Sequence, residues 1–186
     1  MSLKRGAIFL TITLVIVALG VGLGLGLRDG GDENAAATPT PAIPVAGVYI
    51  NPSSQQAKAG EDVTINVEVN PLQNGVGAGT IHLEFDTDVL SVNSIQPGYF
   101  FGATPLVGFK QVEAEAGVIG YALARVGNTT VPTAPGIFAI IGFHVLETAK
   151  IGTSQLTLKY VSLIDENAER MKNVGVQDAS IEIIPQ

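Results

Sequence analysis

The sequence predicts an all-β sandwich preceded by one N-terminal transmembrane helix, on three observations. From Val48 onward the chain breaks into short runs in which apolar and polar residues alternate. Gly, Pro, Asn and Asp punctuate those runs. Ahead of them lies a single unbroken apolar stretch, Gly6 to Leu27.

That stretch comes first in the chain. It holds 22 residues without a charge, and Thr11 and Thr13 are its only hydroxyl side chains. As a helix it would be about 33 Å long, enough to cross a hydrocarbon core of about 30 Å. Lys4 and Arg5 precede it, and Arg28 follows ahead of Asp29, Asp32 and Glu33. The Lys/Arg bias of two before to one after leaves the N-terminus inside and the rest of the chain outside. A cleaved signal peptide is the rival reading. Its apolar core is shorter, about 7–15 residues, and the small residues Ala35, Ala36 and Ala37 lie well beyond the span. Residues 1–28 therefore read as a retained signal anchor. Gly20, Gly22, Gly24 and Gly26 put small residues four apart on one face, a spacing that lets membrane helices pack closely. The plainer reading of the same run is a glycine-rich exit from the bilayer.

Residues 29–45 include the run DGGDENAAATPTPAIP from Asp29 to Pro44. Such a composition cannot build a core, and Pro39-Thr40-Pro41 favours extended backbone. The segment reads as a flexible spacer. Residues 46–186 remain for the domain, enough for one hydrophobic core.

Within the domain, Val63, Ile65, Val67 and Val69 alternate with Thr64, Asn66, Glu68 and Asn70. This is a strand with one buried and one wet face. Ile81, Leu83 and Phe85 alternate in the same way with Thr80, His82 and Glu84. Further runs are Val48–Asn51, Val89–Ile95, Gly117–Arg125, Gly136–Leu146, Ser154–Leu163 and Ala179–Ile184. Many short strands between turn signals predict a sandwich.

Charge and composition narrow the function. The whole chain carries 10 Lys and Arg against 17 Asp and Glu. From residue 46 there are 14 acidic and 7 basic residues, so the domain itself carries −7. An acidic domain repels phosphate, which argues against nucleic acid. The chain has no cysteine, which excludes disulfides, thiol catalysis and thiolate zinc sites.

Several motifs occur in an order that resembles the cohesin domain, the module that receives dockerin domains. Val48 to Ser53 with Ala59-Gly60-Glu61-Asp62-Val63 resembles the family's first strand and its G-D/E-x-V turn. GTIHLEFDTDVL, from Gly79 to Leu90, resembles its F/Y-D-P-x-V-L signature, with Thr87 in place of the usual Pro. Ile95 to Gly98 matches the V-x-x-G that follows, and Gly136 to Phe143 matches G-x-L/F-A-x-I-x-F. Leu156 to Asp165 and Gly175 to Ile183 resemble the last two strands. The resemblance spans residues 46 to 184. It implies a jelly-roll β-sandwich of about nine strands, one face of which receives a small calcium-loaded helical dockerin. The calcium belongs to the dockerin, so no cofactor or metal is expected in this chain. The resemblance places the partner face on Ala78, Thr80 and His82, on Gly120, Ala122, Ala124 and Arg125, and on Met171 and Asn173 before the last strand. Ala78 and Thr80 stand where members often carry acidic or amide side chains.

The alternation speaks independently for two of these strands. With Ile81, Leu83 and Phe85 inward, Thr80, His82 and Glu84 face out. With Ile119, Tyr121 and Leu123 inward, Gly120, Ala122 and Ala124 face out, a flat platform for a partner helix or simply a sheet surface of small residues.

No constellation points to catalysis. His82 and His144 are the only histidines, and neither has a second histidine nearby in sequence. Asp86 and Asp88 admit a glycosidase or calcium reading, but neighbouring Asp residues at turns ordinarily cap the backbone. Asp165-Glu166-Asn167 lacks the EF-hand loop pattern and reads as a turn. No Gly-x-Ser-x-Gly elbow is present. Asn128-Thr129-Thr130 is a glycosylation sequon.

The expectation is a non-enzymatic surface receptor, single-pass at the cell membrane through residues 6–27, that recruits a dockerin-bearing partner. A polysaccharide-binding module is the first alternative. Such sites offer flat aromatic platforms, and the chain lacks Trp, leaving Tyr99, Phe100 and Phe101 as its one compact aromatic group. That group reads rather as a plug at the core edge. A structural or pilus-like surface subunit is the second alternative.

Overall fold

The structure is a computed structural model, and it describes residues 46–127 and 129–186. The expected membrane span, the spacer and the sequon's Asn128 lie outside the described residues.

The described residues form two packed sheets. The strands, in chain order, are β1 (Gly47–Asn51), β2 (Ser54–Ala57), β3 (Asp62–Asn70), β4 (Val76–Glu84), β5 (Leu90–Pro97), β6 (Leu106–Glu113), β7 (Val118–Ala124), β8 (Gly136–Val145), β9 (Gly152–Asp165), β10 (Gly175–Gln177) and β11 (Ala179–Ile183). The smaller sheet runs β10-β1-β3-β8-β5, and the larger runs β2-β11-β9-β4-β7-β6. The all-β sandwich is as expected, with eleven strands where about nine were expected. The additions are β2 and β6, and Gly175–Ile183 divides into β10 and β11, which lie in different sheets.

Both ends of the domain change sheets. Proline lacks an N–H and cannot continue a ladder, so β1 stops at Asn51 and the chain resumes as β2 after Pro52 and Ser53. The C-terminal segment makes the same crossing at Asp178. Asp178 fills the gap it leaves, because its Oδ1 accepts the Leu158 N–H at 2.8 Å. β1 pairs in parallel with β10, and β2 in parallel with β11.

The core lies between the sheets. β3 contributes Val63, Ile65, Val67 and Val69, β4 contributes Ile81 and Leu83, and β7 contributes Ile119, Tyr121 and Leu123. Beside β3 in the smaller sheet, β8 adds Phe138, Ile141 and Phe143, which face β4 and β7 of the larger one. Rings meet edge to face: Tyr121 with Phe138 at 6.2 Å and Phe101 with Phe138 at 6.1 Å between centroids. Such pairs add to the hydrophobic gain of burial. Phe100 and Phe101 are both buried and close the core edge, while Tyr99 stands 77% exposed.

Asp86 and Asp165, weighed above, serve the backbone. Asp86 Oδ1 accepts the Asp88 N–H, and Asp165 Oδ1 accepts the N–H groups of Asn167 and Glu169. His144 sits opposite Asp62 across β3 and β8, with 2.8 Å between Nδ1 and Oδ1.

Two substitutions test the core. Phe138→Ala removes a buried ring that packs against Tyr121, Phe101 and Gly79 and is expected to cost about 3–5 kcal/mol in chemical denaturation. Ser154 is buried against Ile181 and its hydroxyl has no hydrogen-bond partner. Ser154→Ala is therefore expected to stabilise the domain by about 1 kcal/mol; a loss of stability in the same assay would show that the hydroxyl is bonded.

Candidate functional site

β4 and β7 pair in the middle of the larger sheet, with β9 beyond β4 and β6 at the edge beyond β7. Because the buried side chains of β4 and β7 fix which way each residue points, the register lines up outward side chains in rows across four strands. The first row is Leu106, Ala124, Ala78 and Ile164, and the second is Phe109, Ala122, Thr80 and Ser162. The third is Gln111, Gly120, His82 and Tyr160. The fourth is Glu113, Val118, Glu84 and Thr157. The first two rows form an uncharged field of mostly small side chains. The fourth carries carboxylates, with Lys159 Nζ 3.2 Å from Glu84 Oε2.

Between them runs a ladder of rings. Phe109 and His82 lie 6.3 Å apart edge to face, and His82 and Tyr160 lie 5.2 Å apart. The Arg170 guanidinium rests 5.4 Å from the Tyr160 ring centre, within cation–π range. Gly120 makes the ladder continuous. A Cβ there would stand 2.9 Å from Phe109 Cε2 and 3.7 Å from His82 Cδ2, so only glycine lets Phe109 lean across β7. Beneath the face, Tyr121 is buried, and burial raises its hydroxyl pKa above the ordinary tyrosine value.

Of the residues singled out from the sequence, Ala78, Thr80, His82, Gly120, Ala122 and Ala124 share this outer face. Arg125 follows β7 and turns to the loop, its Nη1 donating to the carbonyls of Gly127 at 3.0 Å and Thr129 at 2.7 Å. Met171 is half-buried against the core, and its N–H donates to the Leu163 carbonyl. Asn173 is an exposed turn residue with φ of 56°. Arg170 is the residue of that turn that reaches the face.

Sequence reasoning missed β6 and Tyr160. All eight residues of β6 are exposed, and its apolar Leu106, Val107, Phe109 and Val112 fall on both faces, so no alternation marks it. Tyr160 is hidden by a bulge. Leu156 and Leu158 point inward, and strict alternation would send Tyr160 after them. The register slips between His82 and Leu83, leaving Lys159 as the extra residue and turning Tyr160 outward.

Comparison with known proteins bears on this architecture. A profile for the cohesin domain matches residues 48–183, most of the chain. The chain belongs to the cohesin family. Membership makes it a non-enzymatic binding module. Among solved structures, this cohesin is similar to the third cohesin of ScaC from Acetivibrio cellulolyticus, determined with the ScaB dockerin. The two share 26% identity, with a TM-score of 0.66 over 76% of this chain and 100% of the other. A non-cellulosomal cohesin from the archaeon Archaeoglobus fulgidus matches at 22% identity and a TM-score of 0.60, over 76% of this chain and 92% of that one. The cohesin of the OlpA complex from Clostridium thermocellum matches at 16% identity and a TM-score of 0.66, over 76% and 100%. These two likenesses speak for the fold. No curated protein matches the chain significantly.

Gly120→Ala is expected to push Phe109 off β7 while leaving the buried side of the sheet intact. The measurement is the chemical shift of the His82 ring protons, which the flanking rings perturb. They should move while backbone circular dichroism stays unchanged; unmoved protons would show that Phe109 does not need the glycine.

Proposed function

We propose that this cohesin is a receptor for a dockerin-bearing protein and binds it through the outer face of β6, β7, β4 and β9. The observation that carries the reading is the field of small side chains at the centre of that face, Ala78, Ala122, Ala124 and Thr80, rimmed by larger groups on β6 and β9. A flat centre of small residues lets a helix approach the sheet closely, and the aromatic and Arg groups around it are the types that anchor protein interfaces. The ScaC cohesin, with a dockerin as its bound partner, supports the choice of partner class.

The receptor is mounted outside the cell by the apolar segment 6–27, with residues 29–45 as its spacer and residues 46–186 as the binding domain. The length of the apolar run and the Lys/Arg bias around it support this placement. Calcium enters only as part of the dockerin. The polysaccharide alternative loses its platform, because Phe100 and Phe101 are buried and Tyr99 stands alone of the three.

Calorimetry against a panel of calcium-loaded dockerins tests the proposal. At least one should bind, and chelating calcium should abolish binding while leaving the melting temperature of this chain unchanged. Ala122→Arg puts a long cation at the centre of the field and should weaken binding roughly 100-fold, the scale of a disrupted hot spot. A panel without a binder rejects the receptor reading, and full affinity in the Ala122→Arg protein rejects the face.

A further inference from the structure

This inference rests on the receptor reading and concerns what the docked partner must carry. Arg170 stands on the face as an unpaired cation. Its backbone forms an antiparallel bridge opposite Ile164, which extends the first row by one residue past β9. Its guanidinium lies 5.4 Å from the ring centre of Tyr160, which ends the third row. The stem therefore spans the second row, where Ser162 is only 8% exposed although it faces outward. We propose that Arg170 is a specificity-determining residue of the face and receives a carboxylate, an Asp or Glu side chain, from the docked partner.

Three observations converge on a carboxylate. First, the guanidinium is held in place. Its Nη2 donates to the Val161 carbonyl at 3.3 Å while the group rests over the Tyr160 ring. A ring contact leaves the other N–H groups of a guanidinium free, and they form a rigid fork that matches a carboxylate. Second, no carboxylate of the domain has taken that fork. Among the described residues the ion contacts between side chains are Asp62 with His144 and Glu84 with Lys159. Asp165, in Arg170's own turn, accepts the N–H groups of Asn167 and Glu169 at its Oδ1 instead. Third, docking takes water away from the group. A charge covered without a partner is costly, whereas a bidentate Arg–carboxylate pair restores its hydrogen bonds.

The pairing also orients the partner. Lys159, the neighbouring cation, is already held 3.2 Å from Glu84. The fourth row carries Glu84 and Glu113, and from residue 46 onward the chain has 14 acidic against 7 basic residues. A partner carboxylate is therefore repelled at that end of the strands and over most of the surface, and accepted beside β9. A helix laid on Ala78, Ala122 and Ala124 with its acid at Arg170 can be turned end for end only by losing that pair.

The test uses a display library built on a calcium-loaded dockerin scaffold with randomised helix-surface positions. It is panned in parallel against the full chain, its Arg170→Glu variant and its Ala122→Arg variant. Binders of the unmodified chain should converge on Asp or Glu at one position, and binders of the Arg170→Glu chain on Lys or Arg there. For a single binder, Arg170→Gln should cost roughly 10-fold in affinity, the scale of one hydrogen bond to a charged group. Arg170→Lys keeps the charge without the fork and should recover only part of that loss. Exchanging the binder's acid for its amide should cost little more in the Arg170→Gln chain, because both changes remove the same contact. Additive losses, or binders without an acidic preference at any position, overturn the pairing while leaving the receptor intact. Binders indifferent to Ala122→Arg, or no binders at all, overturn the receptor reading and the pairing with it.

Discussion

Everything on the outer face of the larger sheet depends on the phase of β4 and β7. A strand sends successive side chains to opposite faces, so the residues it buries dictate the residues it shows. Ile81 and Leu83 on one strand, with Ile119, Tyr121 and Leu123 on the other, are all but inaccessible to solvent. Moving both strands by one residue would put these five in water and bring Thr80, His82 and Ala122 into the core. The hydrophobic core thus acts as the alignment device of the platform. It is also why the outer residues of β4 and β7 can be so small, since the sheet there is held from beneath.

The phase argument also explains which parts of the molecule were legible in the sequence. β3, β4 and β7 lie inside their sheets with one face buried, so their alternation was readable and their outward residues could be named in advance. β6 pairs along one edge only and is exposed at every residue, so no burial pattern constrained its sequence. Its Phe109 and Gln111 could be placed only once the register with β7 was known. Tyr160 and Met171 show a different limit. A bulge at Lys159 reverses the parity of β9 partway along, and the strand-like bridge between Ile164 and Arg170 puts Arg170 on the face and Met171 on the core. Bulges arise from local backbone geometry and leave no period in the sequence. β10 was hidden for a topological reason: Gly175 to Ile183 runs in one direction but serves two sheets, and only its second part, β11, shows as a run of its own in the sequence.

β6 carries a second burden as the free edge of the larger sheet. Leu106, Val107, Phe109 and Val112 are all more than a third exposed on one eight-residue strand. An apolar edge invites pairing with any passing strand. Lys110 and Glu113 interrupt this apolar run, and a bulge at Gly108 breaks the regular ladder, both familiar defences of an edge. The same strand places Phe109 over Gly120, so it combines protection of the sheet with one wall of the platform.

The exchange of sheets at both ends of the domain has a temporal meaning. β2 finds its partner in β11, and Gln56 donates to Glu182 at 2.8 Å across 126 residues of sequence. β1 likewise waits for β10. The first strands made are completed only by the last, so neither sheet can finish its border while the chain is still emerging. Contacts this distant in sequence slow folding, because loop closure precedes the interactions that reward it. On a ribosome or at an export channel the half-made domain would carry open strand borders for most of its synthesis, and its maturation would be gated by the arrival of its final dozen residues.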